Sequence, residues 1–258
     1  MTMKIFSLLL SLVLLDASVS ARAASLKSNE LVRHTCLSDT TEECDSNSVS
    51  LAEEELSEQI SAMMGHLRAG LALFEIAQYG MGTPHLLHPI RETSEAQKNV
   101  LRSYGFDERA FESLAESARE GSADSAGMTQ VLFLISSMES LQSRLSSNPY
   151  RNISTLLELA KEEYDIAIKG DVVVDVSEYQ DSYGFILEAK QQSRLLEPPN
   201  AAAVLSMLEE IQALWIDGVS TPIKATPVPS VAETIEAGIQ KLGSIERLSA
   251  KRAKQFSQ

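Results

Sequence analysis

The chain is poor in several things at once. It has only 2 cysteines, 12 glycines and 8 prolines in 258 residues, and aromatic side chains make up 5% of it. So little proline and glycine excludes a collagen-like or Pro-rich low-complexity protein. No C-x-x-C-H occurs, so a covalently attached c-type haem has no support. Positive charge is scarce as well. Against 36 acidic residues stand 22 basic ones, a formal net charge of −14, which argues against a reader of phosphate backbones, since such proteins need a basic footprint. The longest apolar run, Ile5 to Leu15, has 11 residues, short of the roughly 20 that a membrane-crossing helix needs. There is no nucleophile elbow, phosphate loop or dinucleotide fingerprint, and no H-E-x-x-H. No nucleotide cofactor is expected, and nothing local points to an enzyme.

What is present is an ordinary globular balance, 44% hydrophobic and 22% charged, rich in Ala, Leu, Ser and Glu and therefore inclined to helix. The start has the layout of an export signal: Lys4, the apolar run, then Ala-Ser-Val-Ser-Ala-Arg-Ala. Cleavage sites are offered by Ala21-Arg22-Ala23 and by Val19-Ser20-Ala21. Loss of residues 1–23 removes Lys4, Arg22 and Asp16, a net of +1, and takes the charge from −14 to −15. The expected location is periplasmic or extracellular. In an oxidising compartment Cys36 and Cys44 most simply close a local disulfide loop; a metal or redox pair is the alternative.

The remainder reads as all-α, a mostly antiparallel bundle of about seven to eight helices. A loose arm over 24–50 precedes a helical domain over 51–220. A Pro-rich linker over 221–229 and a last helix over 230–258 follow. Ser50 with Glu53 has capping-box spacing, and Leu56, Ile60, Met63, Leu67, Leu71 and Phe74 keep one face apolar to about Tyr79. Gly80-Met81-Gly82-Thr83-Pro84 should break that helix, and another begins near Pro89. Ser177 and Asn200 stand where later helices start. Val172-Val173-Val174 reads as an extended connector. Asn152-Ile153-Ser154 is a formal glycosylation sequon.

Three of the four histidines, His66, His85 and His88, fall close together, and imidazole is the commonest metal ligand. His85 and His88 are three apart, with Glu92 four further on as a third ligand or a partner for an imidazole. The other reading makes His85 and His88 polar capping residues. His66 lies at the edge of the Leu67/Leu71/Phe74 stripe, beside Ala62, Gly70 and Ala77. It is some 20 Å from the helix end at about 1.5 Å per residue, so only a chain folding back along the helix brings it to the other two. A second dense segment offers Glu158, Glu162 and Asp165 on one helix and Glu178 and Asp181 on the next, with Tyr179 and Tyr183. Facing helices with carboxylates can build a hard-metal site; the plain alternative is a solvated acidic face.

Gly65-His66-Leu67, followed by His85-Leu86-Leu87-His88-Pro89 and Glu92, resembles a pattern of uncharacterised exported helical proteins of bacteria. Glu178-Tyr179-Gln180-Asp181, ending Gly184-Phe185, is similar to that group too, and to a Glu-Tyr stretch in the extracytoplasmic helical part of bacterial iron-permease-type proteins. The likeness covers roughly residues 50–195. It implies an exported helical protein in metal handling and points to His66, His85, His88, Glu178 and Asp181. The Arg-Glu-x-x-Glu motifs of iron-permease membrane helices are absent, as is the G-x-H-x-x-E pattern of imelysin-like bundles. The expectation is a soluble, non-catalytic protein binding a transition metal (iron, copper or zinc) through His66, His85 and His88, with Glu178 and Asp181 as a second carboxylate site. An envelope interaction or scaffold protein without a ligand is the alternative, and a hydrolase with a spatially assembled site is the third reading. The partners expected are a metal ion or an envelope protein.

Overall fold

The structure, a computed structural model, describes residues 46–119 and 125–256. The export signal, His34 and the Cys36/Cys44 pair lie outside the described residues. The chain is all-α: α1 (Ser46–Glu75), α2 (Tyr79–His85), α3 (His88–Arg91), α4 (Glu95–Ser103), α5 (Glu108–Arg119), α6 (Ser125–Gln142), α7 (Pro149–Ala167), α8 (Val176–Ser193), α9 (Pro198–Gln212) and α10 (Val228–Phe256). Among the described residues, no helix is long and apolar enough to cross a membrane.

Two apolar clusters form the core. One gathers Leu56, Ile60, Met64, Leu67 and Phe74 of α1 with residues of α2 to α6 and the turns between them. The other gathers α7 to α10 around Leu156, Tyr164, Phe185 and Trp215. α7 and α8 are held antiparallel by a minimal hairpin: Ile168 pairs with Val173 and Lys169 with Val172. Gly170 at the bend has φ +69°, a conformation open to glycine without a Cβ penalty. Val172-Val173 is thus one side of a two-residue ladder rather than a bare connector.

Between the clusters runs a polar seam where α1 crosses α8. Its contacts run antiparallel, Ser57 near Gln192 at one end and His66 against Asp181 at the other. Gln142 Nε2 donates to Ser61 Oγ at 2.7 Å, Gln192 Nε2 donates to Gln142 Oε1 at 3.0 Å and to Glu188 Oε1 at 2.8 Å, and Asn152 Nδ2 donates to Gln192 Oε1 at 3.1 Å. Asn152 is therefore fully buried in this network, and the acceptor side chain of the sequon does not reach the surface. Arg68 Nε donates to the buried Glu188 at 3.0 Å. Burial pushes the Glu188 carboxyl up, while Arg68 and Gln192 oppose that shift.

The close approach of α1 and α8 rests on missing side-chain atoms. A Cβ on Gly184 would lie 2.8 Å from Ala69 Cβ and 2.9 Å from its backbone nitrogen, and one on Gly65 would meet the Phe185 ring. Gly65, Ala69 and Gly184 thus let the backbones touch, three residues from Asp181 and beside His66.

The expected break at Gly80–Pro84 is instead a helix. α1 ends in a Schellman turn, with Gln78 N–H bonded to Leu73 O at 2.8 Å and Ala77 N–H to Phe74 O at 3.0 Å. Ala77, with φ +60°, occupies the left-handed position usually given to glycine. The turn sends α2 back along α1. A Cβ on Gly82 would lie 2.9 Å from Gly70 O and against the Phe74 ring, so Gly82 and Gly70 form a second close crossing. Pro84 sits in the last turn, and Pro89 opens the one-turn α3. Other starts also differ from expectation. Asp175, not Ser177, caps α8 by accepting from Ser177 and Glu178 N–H. α9 begins at Pro198 after Glu197, because Pro at the first helical positions gives up an N–H that has no intrahelical partner; the Asn200 amide goes to Tyr150 Oη instead.

These crossings give a direct stability test. Gly184→Val forces backbone apart at the α1/α8 contact and is expected to lower stability by more than about 2 kcal/mol, read as a fall in the thermal midpoint by circular dichroism. Gly80→Ala, where a Cβ would meet nothing within 4 Å, is expected to be neutral or to stabilise by up to about 1 kcal/mol.

Candidate metal centre

The two crossings bring four segments to one point. α1 presents His66, α2 ends on His85, α3 starts on His88 with Glu92 just past its end, and α8 supplies Asp181. Asp181 is fully buried and accepts from three imidazoles. His66 Nδ1 and His85 Nδ1 lie 2.7 and 2.8 Å from its Oδ1, and His88 Nδ1 lies 3.0 Å from its Oδ2. The rings pack edge-on, 5.2 Å between the centroids of His66 and His88 and 5.3 Å between His85 and His88. His66 Nε2 turns to Glu92 Oε2 at 3.1 Å, and Glu92 Oε1 is 3.6 Å from His88 Nδ1. Phe185 closes one face of His66 at 4.9 Å.

The chain that must run back along the helix to join His66 to the other histidines is α2. Asp181, expected as a separate carboxylate site with Glu178, sits among the histidines. Glu178 stands one turn earlier on α8, half-buried, beside Glu163 of α7. Glu158, Glu162 and Asp165 are exposed or nearly so on the outer side of α7. Glu163 is only 8% exposed, and the sequence reading passed over it. The signal was there: Leu156, Ala160, Glu163 and Ala167 are spaced four, three and four apart, so a carboxylate occupies a place in the buried stripe. A cavity of about 60 Å³ reaches this group from outside, lined among others by Met63, His66, Pro89, Glu92, Glu163 and Phe185.

Electrostatics bind the cluster together. Burial works against an ionised Asp181, but His66 and His85 outweigh it and hold the carboxyl well below the usual range. Burial likewise opposes charge on His66, yet Asp181 and Glu92 raise it well above the ordinary imidazole value. His85 is raised against its burial by Asp181 and Gln180. Glu92, despite burial, is lowered by His66 and His88. Glu163 is pushed up to about 10, first by burial and then by the carboxylates of Glu178 and Asp181. His85 uses both nitrogens, since Nε2 also donates to Gln180 Oε1 at 2.9 Å; the Gln180 amide nitrogen is buried with no hydrogen-bond partner among the described residues.

The donors of His66, His88 and Asp181 all lie within 4.8 Å of one another. A four-coordinate ion with bonds of about 2.1 Å needs donors about 3.4 Å apart. Moving the 2.7–3.0 Å contacts apart by roughly half an ångström, with loss of the shared protons, therefore makes room for a metal. Imidazole with carboxylate suits iron or zinc, and no thiolate from the described residues enters the group, which disfavours copper(I).

Residues 140–246 match the family described as iron permease-associated 4-helix bundle domain. The matched stretch runs from the end of α6 into α10 and holds Glu163, Glu178 and Asp181. His66, His85, His88 and Glu92 lie before it. No curated protein and no solved structure matches the chain. The match supports the link to iron-permease-type helical parts that the Glu178–Asp181 segment suggested, and it is to a bundle domain rather than to an enzyme family.

The cluster fixes a pH dependence for the metal-free protein. His66, His85 and Glu163 have folded values above their unfolded ones, so their contributions are complete below the unfolded values and are lost as pH rises. Asp181 and Glu92 contribute above their unfolded values and lose this as pH falls through the lowered folded ones. The thermal midpoint of metal-free protein is therefore expected to fall from about pH 5.5 to about pH 8.5. Asp181→Asn should lower stability by about 3 kcal/mol, the low end for a broken buried pair because the histidines can shed their protons. It should also make that pH slope shallower, which chemical denaturation at both pH values measures.

Proposed function

We propose that this protein binds a transition-metal ion, iron foremost, at His66, His88 and Asp181. Glu92 completes the donor set from the solvent side. His85 holds Asp181 in place, with its second nitrogen anchored on Gln180. The observation that carries this reading is the convergence of two imidazoles and a buried carboxylate within 4.8 Å, with His66 of that group and Glu92 on the wall of a cavity. A metal ion at this point takes the place of the protons that the imidazoles share with Asp181 and Glu92. The stretch similar to iron permease-associated bundles favours iron over zinc and favours an iron permease as the partner that receives or supplies the ion. The export-type start of the chain fits a protein that works outside the cytoplasm, where such an ion is captured before transport.

The ion and the protons compete for the same nitrogens. Since His66 is held protonated well above its ordinary value, affinity is expected to rise with pH through the neutral range.

Isothermal titration of the purified full chain with Fe(II), under argon, and with Zn(II) tests the reading. Native protein is expected to bind, more tightly at about pH 7.5 than at about pH 5.5. His88→Ala, a half-buried position (18% side-chain exposure), should weaken binding by more than about 100-fold as a lost ligand. His85→Ala should weaken it by about 10–100-fold, the usual cost of losing a partner that orients a ligand. Native protein that binds neither ion overturns the proposal.

A further inference from the structure

We propose that the cavity beside His66 is a second cation position, held by Glu163 and Glu92 with Glu178 behind Glu163, so that the protein takes up two ions per chain. This rests on the metal reading of the adjoining His66/His88/Asp181 site.

Glu163 is more than nine-tenths buried and lines the same cavity as His66 and Glu92. Its neighbour is another carboxylate, Glu178. Among the described residues, neither forms an ion pair with a lysine, arginine or histidine. Elsewhere in this seam a buried carboxylate does have a cation: Glu188 has Arg68 and Asp181 has the histidines. Burying a carboxylate is costly unless it is paired or bound to a metal, and Glu163 is the one in this group with no ion-pair partner among the described residues, beside Glu178 and an open space. That space is mixed in chemistry rather than a bare acidic patch, because the His66 imidazole and the Glu92 carboxylate share its wall.

The charge count points the same way. Once metal has displaced the protons of the cluster, Asp181, Glu92, Glu163 and Glu178 gather four carboxylates around three neutral imidazoles, and a single divalent ion cancels only half of that charge. A second ion at the cavity cancels the rest. Glu92 is placed to serve both positions, with Oε1 3.6 Å from His88 Nδ1 and Oε2 3.1 Å from His66 Nε2. The second position is richer in oxygen than the first, so it takes a hard ion, Fe(II), Fe(III) or Mn(II), in preference to copper(I). The cavity volume of about 60 Å³ accommodates an ion that keeps water ligands, each water occupying about 30 Å³ in the liquid.

Equilibrium dialysis of the full chain against Mn(II), and against Fe(II) under argon, followed by elemental analysis, tests this. The native chain is expected to retain two ions, and Glu163→Gln and Glu178→Gln one each. Glu163→Gln removes a carboxylate that is uncomfortable without metal, so its metal-free thermal midpoint should equal or exceed that of the native protein. Glu178→Gln, at a half-buried place, is the second variant should the first fold poorly. One ion per native chain, or two retained in Glu163→Gln, overturns the second position and leaves the first standing. No ion in the native chain overturns both. A native chain with two ions, reduced to one by Glu163→Gln while His88→Ala still holds one, establishes the pair of positions.

Discussion

The Asp181 carboxylate, fully buried and accepting from three imidazoles, is the interaction on which the rest of the molecule depends. A carboxylate taken out of water must be paired or neutralised. Asp181 meets that demand by drawing histidines from α1, α2 and α3 onto α8. Each histidine brings an element with it. The return of α2 along α1, the Pro89 start of α3 and the depth of the α1/α8 contact are all needed for the three nitrogens to arrive.

Those approaches are possible only because small residues stand where the helices touch. Gly65, Ala69 and Gly184 at one crossing and Gly70 and Gly82 at the other bring backbones into contact, and the site lies between the two. The polar seam continues from there to Ser57, Gln142, Asn152 and Gln192, where its amides are satisfied by one another. Apolar packing on each side is thus divided by a hydrogen-bonded layer. One end of that layer is closed and saturated. At the other end Asp181 takes hydrogen bonds from three histidines, and His66 borders a cavity.

The stretch similar to iron permease-associated bundles contributes Asp181, Glu163 and Glu178 to this centre, and the helices before it contribute every histidine and Glu92. The candidate centre therefore belongs to neither half. It arises where α1 to α3 are laid on α7 and α8, which ties the ligand set to the packing of the two apolar clusters against each other.

Much of this was legible beforehand. The 3–4 spacing of Leu56, Ile60, Met63, Leu67 and Leu71 determined an amphipathic helix, because apolar periodicity is a local property of the chain. The clustering of His66, His85, His88 and Glu92, and the Glu178–Asp181 segment, pointed to residues several of which the structure brings together. The net charge that argues against a nucleic-acid reader likewise needs no coordinates. Three things depended on tertiary structure. Gly80–Pro84 reads as a breaker, but a Schellman turn at Ala77 and the Gly70/Gly82 contact make it a helix folded back on α1. Asn152 reads as the head of a formal sequon, yet partners 40 to 95 residues away bury it. Asp181 reads as one of a pair with Glu178, and Glu163 is not singled out. Which carboxylate turns inward is set by which face of α7 and α8 meets α1, and that is a contact between distant segments. The sequence by itself determined the helices and the kinds of side chain they carry. Only the packing of backbone on backbone at glycine decided which of those side chains share a point in space.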